Sequence, residues 1–119
     1  MTRTDTSVTN LTITAERLFS AIGEGGGGRF QAWKLTLTAS GGAINLEDID
    51  LSNVVRSDEE LVGVTGLYDP TTDKALATAH KPSTRMLFAQ EHDGTVGVLS
   101  SGTSQYATMF LLAKANSQE

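Results

Sequence analysis

The sequence predicts an all-β protein, a single β-sandwich or small β-barrel of about eight mostly antiparallel strands. Three observations carry that expectation. Trp33-Lys34-Leu35-Thr36-Leu37-Thr38-Ala39 alternates apolar and polar residues, so Trp33, Leu35, Leu37 and Ala39 share one face of a pleated strand. The composition leans on Thr, Ser and Gly, and Thr suits strands because its branched Cβ fits the pleat. Turn signals recur along the chain at spacings of about ten residues, which is sandwich or barrel spacing. With 119 residues the chain matches one domain, and neither an internal repeat nor a second domain is visible.

Taken in order, residues 1–6 read as a polar N-terminal arm, 7–115 as the β-domain and 116–119 as a polar C-terminal tail. Val8 to Thr14 alternates around Leu11 and Ile13 and is expected as the first strand. Ala15 to Ile22 is ambiguous, because Leu18, Phe19 and Ile22 also sit at helical spacing. The glycine run from Gly23 to Gly28 is expected to link it flexibly to a strand over Phe30 to Ala39. Gly41-Gly42 suits a tight hairpin turn, with a short returning strand over Ala43 to Leu46.

Glu47 to Glu60 is expected as a loop with Ile49, Leu51, Val54 and Val55 tucked beneath it. Leu61 to Tyr68 reads as a strand in which Gly63 or Gly66 marks a bulge or a close backbone approach. Asp69-Pro70-Thr71-Thr72-Asp73 is a turn, since proline sets φ and aspartate bonds its own backbone. Strands follow over Lys74 to His80, Thr84 to Gln90 and Thr95 to Leu99, the last two joined by the hairpin signal Asp93-Gly94. Tyr106 to Lys114 is apolar on both faces, which predicts a central strand or one buried at a subunit contact.

The net charge of −5 is uneven. Residues 41–73 hold eight acidic groups and one basic one, while the flanking stretches are each net +1. No basic stripe is present, so direct nucleic-acid binding is not expected. With no cysteine, disulfides, thiolate nucleophiles and Cys-based zinc sites are excluded. Met1 to Thr6 is polar, and the longest apolar run, Met109 to Ala113, is too short to span a bilayer. The chain is therefore expected to be soluble, not secreted by a cleaved signal and not membrane-bound.

No catalytic residue, metal ligand or cofactor site is predicted. Gly23, Gly25 and Gly28 match G-x-G-x-x-G, but the residues that follow alternate as a strand, and the pattern needs a helix there. Asp48 and Asp50 offer two oxygens towards calcium without an EF-hand frame, so a solvated acidic face is expected over Glu47 to Asp50 and Asp58 to Glu60. His80 and His92 sit in no motif that names their partners. Asn10-Leu11-Thr12 fits a glycosylation pattern but falls within a strand. Trp33 is assigned to the core rather than to a sugar platform, because it lies in the apolar register of its strand.

Asp69-Pro70-Thr71-Thr72-Asp73-Lys74-Ala75-Leu76 and Asp93-Gly94-Thr95-Val96-Gly97-Val98-Leu99 run into the apolar last strand, Tyr106 to Ala113. With the size, the Thr/Ser/Gly-rich β composition and the absence of cysteine, this profile resembles small virion proteins of tailed bacteriophages, particularly capsid decoration (cement) proteins. The resemblance implies a non-enzymatic structural protein that binds and stabilises the major capsid shell. It further implies synthesis in the host cytoplasm, a place on the capsid exterior, and a homotrimer whose partner is the major capsid protein or another virion protein. The contact elements expected are Thr2, Arg3 and Thr4 on the arm, Gly25, Gly26 and Gly27 in the loop, and Tyr106, Phe110 and Leu112 on the last strand. Three other readings stay open: a carbohydrate- or ligand-binding β-module with Trp33 or Tyr68 exposed, a small β-barrel enzyme built around His80 or His92, and a tail or head-fibre component.

Overall fold

A computed structural model describes residues 1–22 and 28–114 of the chain, and these contain strands and no helix. The strands are β1 (Thr2–Asp5), β2 (Leu11–Ile22), β3 (Arg29–Ala39), β4 (Ile44–Asn45), β5 (Ile49–Asp50) and β6 (Glu59–Val64), then β7 (Leu67–Asp69), β8 (Lys74–Lys81), β9 (Met86–Gln90), β10 (Val98–Leu99) and β11 (Ser104–Ala113). They build a curled antiparallel sheet in the order β1-β2-β3-β11-β7-β8-β9-β5, with β6 beside β7 on the same flank of β11. β4 and β10 form a separate two-stranded ribbon. The expected all-β class is therefore the observed one. The strands number more than the expected eight because β1 and β5 form where an arm and a loop were expected, and the stretch over 61–68 divides into β6 and β7.

The alternation read at Trp33 to Ala39 holds: Trp33, Leu35, Leu37 and Ala39 are all buried. Leu11, Ile13 and Ala15 of β2 and Met109 and Leu111 of β11 lie on the same concave side and join them in one hydrophobic core. Leu46, Ile49, Leu51, Val54 and Val55 of the acidic stretch cover that core from the opposite wall, as expected of them. β11 is central, bonded along one edge to β3 and along the other to β6 and β7. Its odd residues point inward and its even ones, Tyr106, Phe110 and Leu112 among them, are half-buried on the outside.

Several local expectations are corrected. Residues 2–5 are not a free arm, because β1 pairs with β2 through Arg3↔Ala15 and Asp5↔Ile13, with both Arg3 and Asp5 buried. The first long strand runs from Leu11 to Ile22 without a helical turn, because β3 pairs with it throughout and overrides the short 3.6-residue pattern. A register shift between Arg17 and Phe19 inserts Leu18 as an extra residue, and this bulge is what disturbed the period of two. Ile44–Asn45 does not return along β3 after Gly41-Gly42, since both edges of β3 are already taken by β2 and β11; it pairs with β10 instead.

The expected strand over 61–68 is two strands broken at Thr65-Gly66. A Cβ on Gly66 would stand 2.9 Å from the Leu76 carbonyl oxygen, so this glycine permits a close backbone approach. Near Gly63 the register of β6 against β11 shifts by one residue at Val62. Asp93-Gly94 does form a turn, with Gly94 at φ 87° and a bridge between Gln90 and Val96. The chain then leaves β9, whose remaining edge is occupied by β5 and by the Ala89 N–H bond to the Leu46 carbonyl.

Asp5 ties the start of the chain to its surroundings. Burial pushes its carboxyl upward, but hydrogen bonds from Ser7 and Asn53 outweigh this and hold it below the ordinary carboxylate value. A carboxyl whose folded-state pKa is depressed stabilises the protein above its unfolded value, about pH 4, and that contribution is lost as the pH falls through the folded value. The difference in urea midpoint between wild type and Asp5→Asn is therefore expected to be full near about pH 6 and to shrink below about pH 4. A difference constant across that range would remove the charged state of Asp5 from the account.

Candidate interaction face

The outer side of the β1-β2-β3-β11 sheet is built by the residues the core leaves out. Cross-strand register places Thr4, Thr14, Thr36 and Tyr106 in one row, with Tyr68 of β7 opposite Tyr106. Two strand residues further along, Thr2, Glu16, Lys34 and Thr108 form a second row. The Lys34 ammonium lies 5.1 Å from the Tyr106 ring centroid, within cation–π range. A shallow groove of about 390 Å³ runs here, lined by Leu18, Lys34, Tyr68, Tyr106 and Thr108. Tyr68 donates a 3.0 Å hydrogen bond to Asp73 Oδ1, and that bond pushes its phenol above the ordinary tyrosine value.

Beyond these rows the same side turns aromatic. Phe19 of β2 stands opposite Ala32, and Phe110 stands opposite Ala32 from the other flank. Phe30 faces Leu112 across the ladder. The Phe30 and Phe110 rings stack with centroids 5.8 Å apart at 15°, and Phe19 meets Phe30 at 6.5 Å and 47°. These spacings are those of favourable aromatic pairs. Phe19 is 52% exposed and Phe30 36%, and Leu18 and Val62 are exposed beside them. Large apolar side chains are thus grouped outside the core on this side of the sheet.

Of the expected contact residues, the structure gathers Tyr106, Phe110 and Leu112 on this face and places Thr2 and Thr4 on its polar margin. Arg3 is not with them. Its guanidinium points inward, forming a bidentate pair with Glu59 at 2.6 and 2.9 Å and lying 4.2 Å from the Trp33 ring centroid. It also donates to the Val54 carbonyl at 2.9 Å. Glu59 is consequently not part of a solvated acidic face, although its neighbour Glu60 is exposed. Gly25, Gly26 and Gly27 lie outside the described residues.

Sequence reasoning missed Phe19, Phe30 and Val62. Phe30 had a readable signal, as an aromatic at an even position in a strand whose odd positions are the core. Phe19 was hidden by the bulge at Leu18, and Val62 by the register shift opposite Phe110 and Leu111.

The remaining candidate chemistry is dispersed. Trp33 is fully buried, so it offers no platform to a sugar. His80 shares a shallow depression of about 430 Å³ with Glu47, Asp48 and Lys81. Lys81 and Asp48 approach to 3.9 Å there with both side chains largely exposed, an arrangement that contributes on the order of 0–1 kcal/mol. His92 is exposed in the turn after β9. Among the described residues no group of three or more His, Asp or Glu side chains converges as a metal site. Among the described residues no helix is long and apolar enough to cross a membrane. Comparison with protein-family models, curated proteins and solved structures finds no match to this chain.

Proposed function

We propose that this chain is a non-enzymatic virion structural protein, a capsid decoration protein that docks its outer sheet face onto the shell and stabilises it. The observation that carries the reading is the Phe19-Phe30-Phe110 row, an aromatic patch held on the outside of a three-strand ladder whose other side is the core. Anchoring residues of protein interfaces are typically aromatic, sit on pre-ordered backbone and are ringed by polar groups that exclude water. Here the polar surround is the Thr14, Thr36 and Thr108 surface with Lys34 and Tyr106. The resemblance in size, composition and absent cysteine supports a shell as the docking partner. A weak single contact repeated over many lattice positions holds a protein firmly through effective concentration.

The test combines particles and a point variant. Particles from the native source, fractionated on a density gradient, are expected to carry this chain in fixed ratio to one abundant protein. Phe30→Ala is expected to weaken rebinding of the purified chain to stripped particles by roughly 30-fold, the effect of losing an aromatic anchor. Recovery of the chain only among small soluble proteins would sink the shell reading. Unchanged rebinding by Phe30→Ala, with its melting temperature preserved, would remove the aromatic row from it.

A further inference from the structure

We infer that the distal half of β2, Leu18 to Ile22, is a pairing edge for a second copy of this chain. β1 covers β2 only through Glu16, with one more bond from the Arg17 N–H to the Met1 carbonyl. Beyond that point β2 continues for five residues bonded to β3 alone, so among the described residues its other edge carries no ladder partner. Natural proteins guard such edges with charge, proline or a covering segment, because an open edge recruits another strand. This edge has neither charge nor proline: Leu18-Phe19-Ser20-Ala21-Ile22 is apolar but for one hydroxyl. Leu18 is 56% exposed and Ile22 is 71% exposed, the highest value among the large apolar side chains.

The chemistry of the edge selects its occupant. An antiparallel pair of two identical segments about a twofold axis at Ser20 sets Leu18 against Ile22 of the other copy and Phe19 against Ala21. No like charges meet, and every apolar side chain gains an apolar neighbour. A twofold interface needs this kind of self-complementary patch, and main-chain bonding along an open edge is a recurrent mode of association. Ser20 stands at the middle of the segment, at the proposed axis, with its hydroxyl buried within the single chain. The pairing joins two sheets edge to edge and brings the two Phe19-Phe30-Phe110 rows onto one continuous surface. It does not depend on the shell reading.

Five residues a side make a small interface of the weak, reversible class. Sedimentation velocity on the full chain, from about 5 to about 500 µM, is therefore expected to show the 12.6 kDa monomer giving way to a species of twice that mass, with Kd on the order of 100 µM. Ile22→Lys is expected to raise that Kd at least about tenfold, because Ile22 is exposed and its replacement leaves the core intact. Val98→Lys, at another exposed apolar site, on the β4–β10 ribbon, is expected to leave it unchanged. A monomer throughout, a trimer, or a dimer indifferent to Ile22→Lys would each overturn the inference. Loss of shell binding by Phe30→Ala with the dimer retained would separate this interface from the docking face.

Discussion

Glu59→Ala is expected to destabilise the protein by about 3–5 kcal/mol, the cost of leaving a buried charge without its partner. Arg3 is 9% exposed, and Glu59 gives it both carboxylate oxygens. Once Glu59 is gone, the guanidinium keeps the Val54 carbonyl and the Trp33 ring face, and its buried Nε already lacks a partner. The Arg56 N–H also loses its acceptor, Glu59 Oε1 at 2.9 Å. Relief is possible by one route, in which the four-residue β1 detaches and Arg3 reaches water. The penalty is then capped by the cost of undocking β1, which places it at the lower end of the range. For a chain of this size the loss corresponds to a fall in Tm of roughly 10–20 °C. Replacing both partners, as Arg3→Met with Glu59→Leu, is expected to restore most of the loss, since a hydrophobic pair bears no desolvation cost. Urea unfolding of the two singles and the double measures this, and a double variant equal to the sum of the singles would show that the pair is not coupled.

Trp33→Ala is expected to cost as much again, about 3–5 kcal/mol, by the removal of a large side chain from a filled core. Trp33 has no solvent exposure, stands opposite Arg17 and Met109 across its two ladders, and donates a 2.9 Å hydrogen bond from Nε1 to Gln31 Oε1. Trp33→Phe keeps most of the packing and loses that bond, so about 1–2 kcal/mol is expected. Because Trp33 is the single tryptophan, its fluorescence reports the site directly. Emission should be blue-shifted and resistant to iodide, and ready quenching would place the indole at the surface. Because Arg3 lies over the indole, Glu59→Ala and Trp33→Ala share a contact and are expected to combine with less than additive loss.

The sequence made the concave side legible and left much of the convex side obscure, and the reason is physical. Period-two alternation reports which residues face the core, and Leu35, Leu37, Met109 and Leu111 follow it. Ile49, Leu51, Val54 and Val55 were readable as apolar residues inside an acidic segment that had to be buried somewhere. Pairing between distant strands leaves no comparable trace. Nothing local in Ile44-Asn45 names Val98-Leu99 as its partner, and nothing in Thr2 to Asp5 announces a place beside β2. Arg3 and Glu59 are fifty-six residues apart in sequence, and each reads as an ordinary surface charge until the fold brings them together. The aromatic face was half legible, through Phe110 and Leu112, and was completed by Phe19 and Phe30 once the bulge at Leu18 set the register.

The central place of β11 has a consequence for how the molecule comes into being. Its partners on β3 precede it by as much as eighty-four residues, Ala113 lying opposite Arg29. A strand pairing so distant in sequence closes slowly, because the loop entropy is lost before any bond is gained. As the chain emerges from the ribosome, β2 and β3 can join at once, but one flank of β3 waits bare until almost everything else has been made. During that interval the nascent sheet shows the whole bare flank of β3 and the distal edge of β2 that β1 leaves uncovered, both adhesive to other copies. Yield on expression should therefore depend on synthesis rate and temperature more steeply than the stability of the finished molecule would suggest, with the hazard lying in the wait for the last strand.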